Sequence, residues 1–148
     1  MARSLAPALL ALALIAAGCG GGGASAGAEV SLYAAAPLCV EAQNELKGTG
    51  GKDADLRVRV VCLSSVDAGG GADLSTAGRN ARRATEDSTT VAYLESPGPA
   101  AESTRSIVEA ADIAWVEADS GAKAARRILS ALEGDSSSPR QAVLDEVG

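Results

Sequence analysis

Between Glu29 and Val147 short β-favouring runs alternate with longer stretches of helical period, and that alternation predicts an α/β fold. Four runs read as strands: residues 29–34 (EVSLYA), Leu56–Leu63 (LRVRVVCL), residues 89–94 (TTVAYL) and residues 113–116 (IAWV). Their β-branched and aromatic side chains suit a pleated surface, and Arg57 and Arg59 mark a polar face on the second. Residues 37–46 place Leu38, Ala42 and Leu46 on one helical face, with Pro37 in the first turn. Over residues 73–86, Leu74, Ala77, Ala81 and Ala84 form the apolar stripe, Asp73 is the N-cap, and Arg79, Arg82, Arg83 and Glu86 face water. Residues 100–111 offer Thr104, Ile107, Val108 and Ala111. Residues 120–132 offer Ala125, Ile128, Leu129 and Leu132 behind a Ser120 cap, and Pro139 opens a last helix with Ala142, Val143 and Val147. Strands joined through helices require right-handed crossovers. The expected fold is therefore three-layered, a parallel sheet of about four strands with helices on both faces.

The first residues follow a different logic. Arg3 is the only charge before Glu29, and residues 5–17 are apolar except for Pro7. That run of 13 residues is too short for roughly 30 Å of hydrocarbon, which takes about 20, but it suits the apolar region of an export signal. Ala16, Ala17 and Gly18 are small enough to lie extended in a peptidase groove, and Cys19 follows at once. This resembles the lipobox of bacterial lipoproteins, with Ala16 where Leu is usual and Ile15 one place earlier. The resemblance implies a lipid on Cys19, which holds the chain on the outer face of the cytoplasmic membrane, at the cell surface or in the periplasm. The alternative is plain secretion with a cleavage site that happens to precede a cysteine. Gly20 to Gly23 would break a core helix, so this stretch reads as tether. The expected plan is a signal peptide over 1–18, a glycine-rich tether over 19–28 and one lobe over 29–148.

Without Arg3, 12 Lys plus Arg remain of the chain's 13, against 19 Asp plus Glu, a net charge of −7. That balance argues against a nucleic-acid partner and against lying flat on anionic lipid. Histidine is absent, so a His triad, a His metal site and a His pH switch are excluded. Tyr33, Tyr93 and Trp115 are the only aromatics, which leaves the core mainly to Ala, Val, Leu and Ile. Beyond Cys19, Cys39 and Cys62 remain. In an oxidising compartment they can pair, closing a loop worth roughly 3 kcal/mol in the chain-entropy model, or they stay as two buried thiols.

Groups able to do chemistry are few. Ser64, Ser65 and Asp67 follow the second strand without a histidine base. Glu95 and Ser96 end the third, and Glu117 and Asp119 end the fourth. Ligands of open α/β sheets bind outside the carboxyl ends of strands, so these residues stand in the right place. The carboxylates read either as a seat for a cation or ammonium group or as solvated loop charges. The glycine runs at 48–51 and 69–71 lack the Lys-Ser or Lys-Thr of a phosphate loop and read as surface connections. The expectation is a non-enzyme with no cofactor and no metal.

Residues 77–113 (AGRNARRATEDSTTVAYLESPGPAAESTRSIVEAADI) carry a likeness. Asn80-Ala81-Arg82-Arg83-Ala84, Val91-Ala92-Tyr93 and Ala110-Ala111-Asp112-Ile113 resemble the substrate-binding lipoproteins of branched-chain amino-acid ABC importers, the type I periplasmic binding proteins, with Asp112 where the family has Gly. The segment GAKAARRILSAL and the later RQAVLD (residues 140–145) are similar to a late helix and following segment of the same family, which in a full-length member come after the second lobe. The resemblance implies one lobe of that fold with lobe two missing. It implies a ligand site at the loop after the third strand, at Ser96, Gly98, Ala100 and Ala101. It also implies a small amino acid or amide as ligand and an ABC permease as partner. The site departs from the family pattern. Pro97 and Pro99 remove backbone donors, and Glu117 and Asp119 would repel a carboxylate. Weak or lost binding is therefore expected, with a structural or interaction lipoprotein, self-associating or bound to a partner, as the alternative.

Overall fold

The computed structural model describes residues 28–49, 52–53, 56–64, 73–134 and 138–147. The signal, Cys19, the tether up to residue 27, Ser65 and Asp67 lie outside the described residues.

Each β-favouring run becomes a strand: β1 (Ala28–Ala35), β3 (Leu56–Leu63), β4 (Thr90–Glu95) and β5 (Ala114–Glu117). These four pair in parallel, and a two-residue strand that the sequence reading lacked, β2 (Lys52–Asp53), runs antiparallel beside β3. The sheet order is β2-β3-β1-β4-β5. The chain steps from β1 to β3 on one side and returns past β1 to β4 on the other, so the order reverses between β1 and β4. The connecting helices are α1 (Leu38–Thr49), α2 (Leu74–Glu86), α3 (Pro99–Glu109), α4 (Gly121–Leu132) and α5 (Pro139–Val147). Helices α1, α4 and α5 cover one face and α2 and α3 the other, so the fold is the expected three-layer α/β arrangement.

The strand period of two sorts the side chains. Val30, Leu32 and Ala34 of β1, Leu94 of β4 and Val116 of β5 meet Leu38, Ile128 and Val143 under the first helix layer. Leu32, Leu94 and Ile128 are fully buried, each contributing about 1.5–3 kcal/mol. Tyr33, Tyr93 and Trp115 all turn to the opposite face, where they meet Ala81, Ala84 and Val108. Large side chains from the sheet thus fit against small ones from α2, which lets that helix sit close.

Caps fall where the sequence puts them. Asp73 accepts from the backbone N–H groups of Ser75 and Thr76, and Ser120 from that of Lys123. Other readings need correction. Pro37 precedes α1, in a turn after a cis peptide bond, rather than lying in its first turn. Gly48 belongs to α1 and not to a loop. In α3 the buried positions are Ala100, Ala101, Thr104 and Val108, while Ile107 sits half-buried at the margin of that face and Ala111, also half-buried, lies past the helix end at Glu109. Leu74 is 53% exposed instead of buried, since α2 starts past the end of the sheet and its first residue overhangs.

Four contacts tie the helices to the sheet and to one another. Cys39, buried at the start of α1, is joined in a disulfide to Cys62 of β3, with Cα atoms 5.4 Å apart. At the same end of α1, Glu41 accepts from the Ser120 hydroxyl (2.9 Å) and the Gly121 N–H (2.8 Å), so one carboxylate caps the neighbouring helix α4. Arg126 of α4 also pairs with Glu45 of α1 at 2.7 Å. Finally, Arg140 of α5 donates to the carbonyls of Thr90 and Ser88, both at 3.1 Å, and Val143 is fully buried. The last helix is therefore part of the lobe.

Candidate functional site

The strand order reverses between β1 and β4, which marks the region outside their carboxyl ends as the position of the crevice where α/β sheets commonly bind ligands. Its floor is built from alanines. Ala35 of β1, Ala77 of α2 and Ala100 of α3 meet there because none carries a side chain long enough to hold the elements apart. Beside it runs the loop Ser96-Pro97-Gly98 into α3.

The four residues assigned to the ligand separate into two pairs. Ser96 is half-buried and Gly98 exposed, so both are reachable. Ala100 and Ala101 are 7% and 4% exposed and packed into the lobe. The Ala101 N–H donates to the Gly98 carbonyl at 3.0 Å. Pro97 and Pro99 have no N–H to give. Of the backbone donors over residues 97–101 that could hold a carboxylate at this helix start, two are removed by proline and that of Ala101 is spent, which leaves those of Gly98 and Ala100. Gly98 is extended, at φ 161° and ψ −179°, and open space surrounds the position of a Cβ.

The charge at this rim is negative. Glu117, the last residue of β5, and Asp119 beyond it are exposed, and Glu102 stands in the first turn of α3. Glu95, the last residue of β4, is 5% exposed and points to the α2–α3 face. The Thr104 hydroxyl lies 3.2 Å from its carboxylate, and the Trp115 indole N–H donates to that hydroxyl at 3.3 Å. Burial and the bond to Glu95 push the Tyr93 phenol well above its ordinary range, so it stays a protonated donor. Tyr93, Glu95, Thr104 and Trp115 therefore form one buried polar chain beneath the crevice. Sequence reading placed Glu95 at the rim but missed that its partners enclose it. The available signal was its alternation with Tyr93 on one strand face.

Asn80 is buried and donates to the Ser64 carbonyl at 2.9 Å, tying α2 to the end of β3. Ser64 is exposed. Among the described residues no group of three or more Cys, Asp or Glu side chains is placed to hold a metal ion, and no helix is long and apolar enough to cross a membrane.

A second polar cluster closes the amino end of the sheet. Tyr33 donates to Asp87 (2.8 Å), Arg59 pairs with Asp87 and Glu29 (both 3.0 Å), and Asp87 accepts from Thr89. The Thr89 hydroxyl and N–H, then Tyr33 and Arg59, hold the Asp87 carboxyl at about 2. This end is opposite the crevice, and its groups are paired with one another.

No protein-family model matches the chain, and neither the curated proteins nor the solved structures yield a match.

One local feature bears on the family resemblance. Asp112, which stands where the resembling family has glycine, has φ 54°, a left-handed conformation that glycine adopts without strain.

Proposed function

We propose that this chain is a lipid-anchored lobe related to the substrate-binding proteins of amino-acid importers, in which capture of the ligand is weak or lost. The observation that carries the second half is the loop after β4. Two prolines and a spent Ala101 N–H thin the donors there to the Ser96 hydroxyl and the N–H groups of Gly98 and Ala100, beside exposed Glu117 and Asp119. The left-handed Asp112 and the buried Asn80 support the relationship, because each gives a backbone or packing reason for a residue that the resemblance singles out. The passage from β5 into α4 through residues 118–120 supports the single-lobe reading, since it leaves no room for a second lobe at that point. Enclosing 70–90% of a small ligand takes two walls, and one wall gives an open half-site.

A second reading is favoured by a specific observation. Val40 and Leu74, the large apolar side chains left exposed among the described residues at 52% and 53%, lie in the first turns of α1 and α2. Both helices start at the carboxyl end of the sheet, so both side chains lie toward that end of the lobe, one in each helix layer. Such residues suit a protein partner better than a small polar ligand.

Calorimetric titration with leucine, isoleucine, valine and small amides separates the two. Heat at sub-millimolar ligand supports retained solute binding, and silence with all of them together with a dimer by light scattering supports the interaction reading. Anchoring is tested by itself: radiolabelled palmitate should enter the wild-type protein and not Cys19→Ser. Equal labelling of both refutes the anchor.

A further inference from the structure

The two edges of the sheet are finished differently. The β3 edge is covered by the two-residue antiparallel β2, a short strand that blunts further pairing. Beyond β5 no described strand follows. The Ala118 N–H donates to the Glu95 carbonyl at 2.9 Å, which turns the backbone of even-numbered β5 residues toward β4. The N–H and C=O groups of Trp115 and Glu117 therefore face outward. A groove of about 300 Å³ follows this edge, with Arg105 of α3 on one wall and Arg127, Leu144 and Val147 on the other. Neither proline nor lysine occurs in β5 to guard it.

We propose that this edge pairs with the same edge of a second copy, antiparallel about a two-fold axis through Val116. The register follows from the outward groups. Centring on Val116 sets Trp115 opposite Glu117 of the other copy, both as hydrogen-bonded pairs and both on the α2–α3 face. The charges then complement each other. Arg105, whose Nε pairs with Glu109 of its own helix at 2.7 Å, lies over the Trp115 ring, 5.2 Å from its centroid, and its terminal nitrogens would stand beside the other copy's Glu117. Glu117 makes no ion pair among the described residues, and its neighbour across the sheet is another carboxylate, Glu95. A cation supplied by a second copy relieves that repulsion. On the opposite face Val116 would meet Val116, flanked by the half-buried Leu144 and Val147.

Sedimentation equilibrium of the full-length protein in mild detergent tests this. A monomer–dimer equilibrium is expected. Arg105→Glu or Glu117→Arg alone should weaken it about tenfold, because two symmetric pairs become repulsive. Combining them should restore it. Val116→Cys should form an intermolecular disulfide on mild oxidation, whereas Ala114→Cys, displaced from the axis, should not. A protein that stays monomeric at every concentration overturns the proposal. So does a dimer that ignores the charge reversals and does not cross-link at 116. Loss of the dimer in Val40→Asp/Leu74→Asp, with the charge reversals silent, would place the interface at the carboxyl rim and overturn it as well. Neither result depends on whether small ligands bind.

Discussion

Replacing Gly121 by alanine tests how closely α1 and α4 are held. A Cβ at this position would lie 1.9 Å from the Leu38 carbonyl oxygen, and 2.7 Å and 2.8 Å from its carbonyl carbon and Cα. All three atoms are backbone, so no rotamer change relieves the clash. Raising 1.9 Å above 3.0 Å requires the helix starts to separate by more than 1 Å. That movement breaks the Glu41 bonds to Ser120 and Gly121 and strains Arg126 against Glu45. Overpacking of this kind costs about 1–3 kcal/mol. Losing hydrogen bonds to a charged group adds about 1.5–3 kcal/mol, while alanine's helical preference returns about 0.5–1 kcal/mol. The expected net loss is about 3 kcal/mol. It would be read from urea unfolding by circular dichroism as a lower midpoint at unchanged slope. Gly98→Ala is the control. Its Cβ enters open space at an extended φ, so its stability should stay within about 0.5 kcal/mol of wild type. Equal stability of the two variants refutes the reasoning.

Asp87 sits at about 2 in the fold against an ordinary 3.8, so its stabilising contribution is complete above pH 3.8 and disappears as pH falls through 2. Asp87→Asn should therefore be less stable than wild type at pH 7, with the two converging near pH 2 in urea midpoints taken across that range. Asp112→Gly should raise stability by about 1 kcal/mol by relieving the left-handed backbone, and a drop in thermal midpoint would contradict it. Removing the disulfide with Cys39→Ser/Cys62→Ser should cost about 2–4 kcal/mol, and wild type in reductant should match that variant. A reductant-insensitive wild type excludes the pairing.

Much of the architecture was legible because local signals agreed with each other. LRVRVVCL centres on the β-branched Val58, Val60 and Val61, and the strand found there has the expected bounds. Asp73 and Ser120 cap because a short polar side chain just before an apolar stripe is within reach of its own helix's free N–H groups. Leu74 misled because periodicity names a face and not how far that face extends. The sheet ends before Leu74 does. The four ligand candidates were placed by resemblance, and only packing showed that Ala100 and Ala101 belong to the interior while Ser96 and Gly98 reach the surface.

The order of residues by itself determined a parallel α/β lobe, since strands separated by helices can pair in no simpler way, and it ruled out histidine chemistry by composition alone. Tertiary structure decided what depends on distance between remote segments. It set Glu41 against the start of α4, 80 residues away, and enclosed Glu95 with Thr104 and Trp115. It also left β5 as an edge with outward-facing backbone groups. No local pattern encodes such facts, because each arises from which elements the sheet order brings side by side.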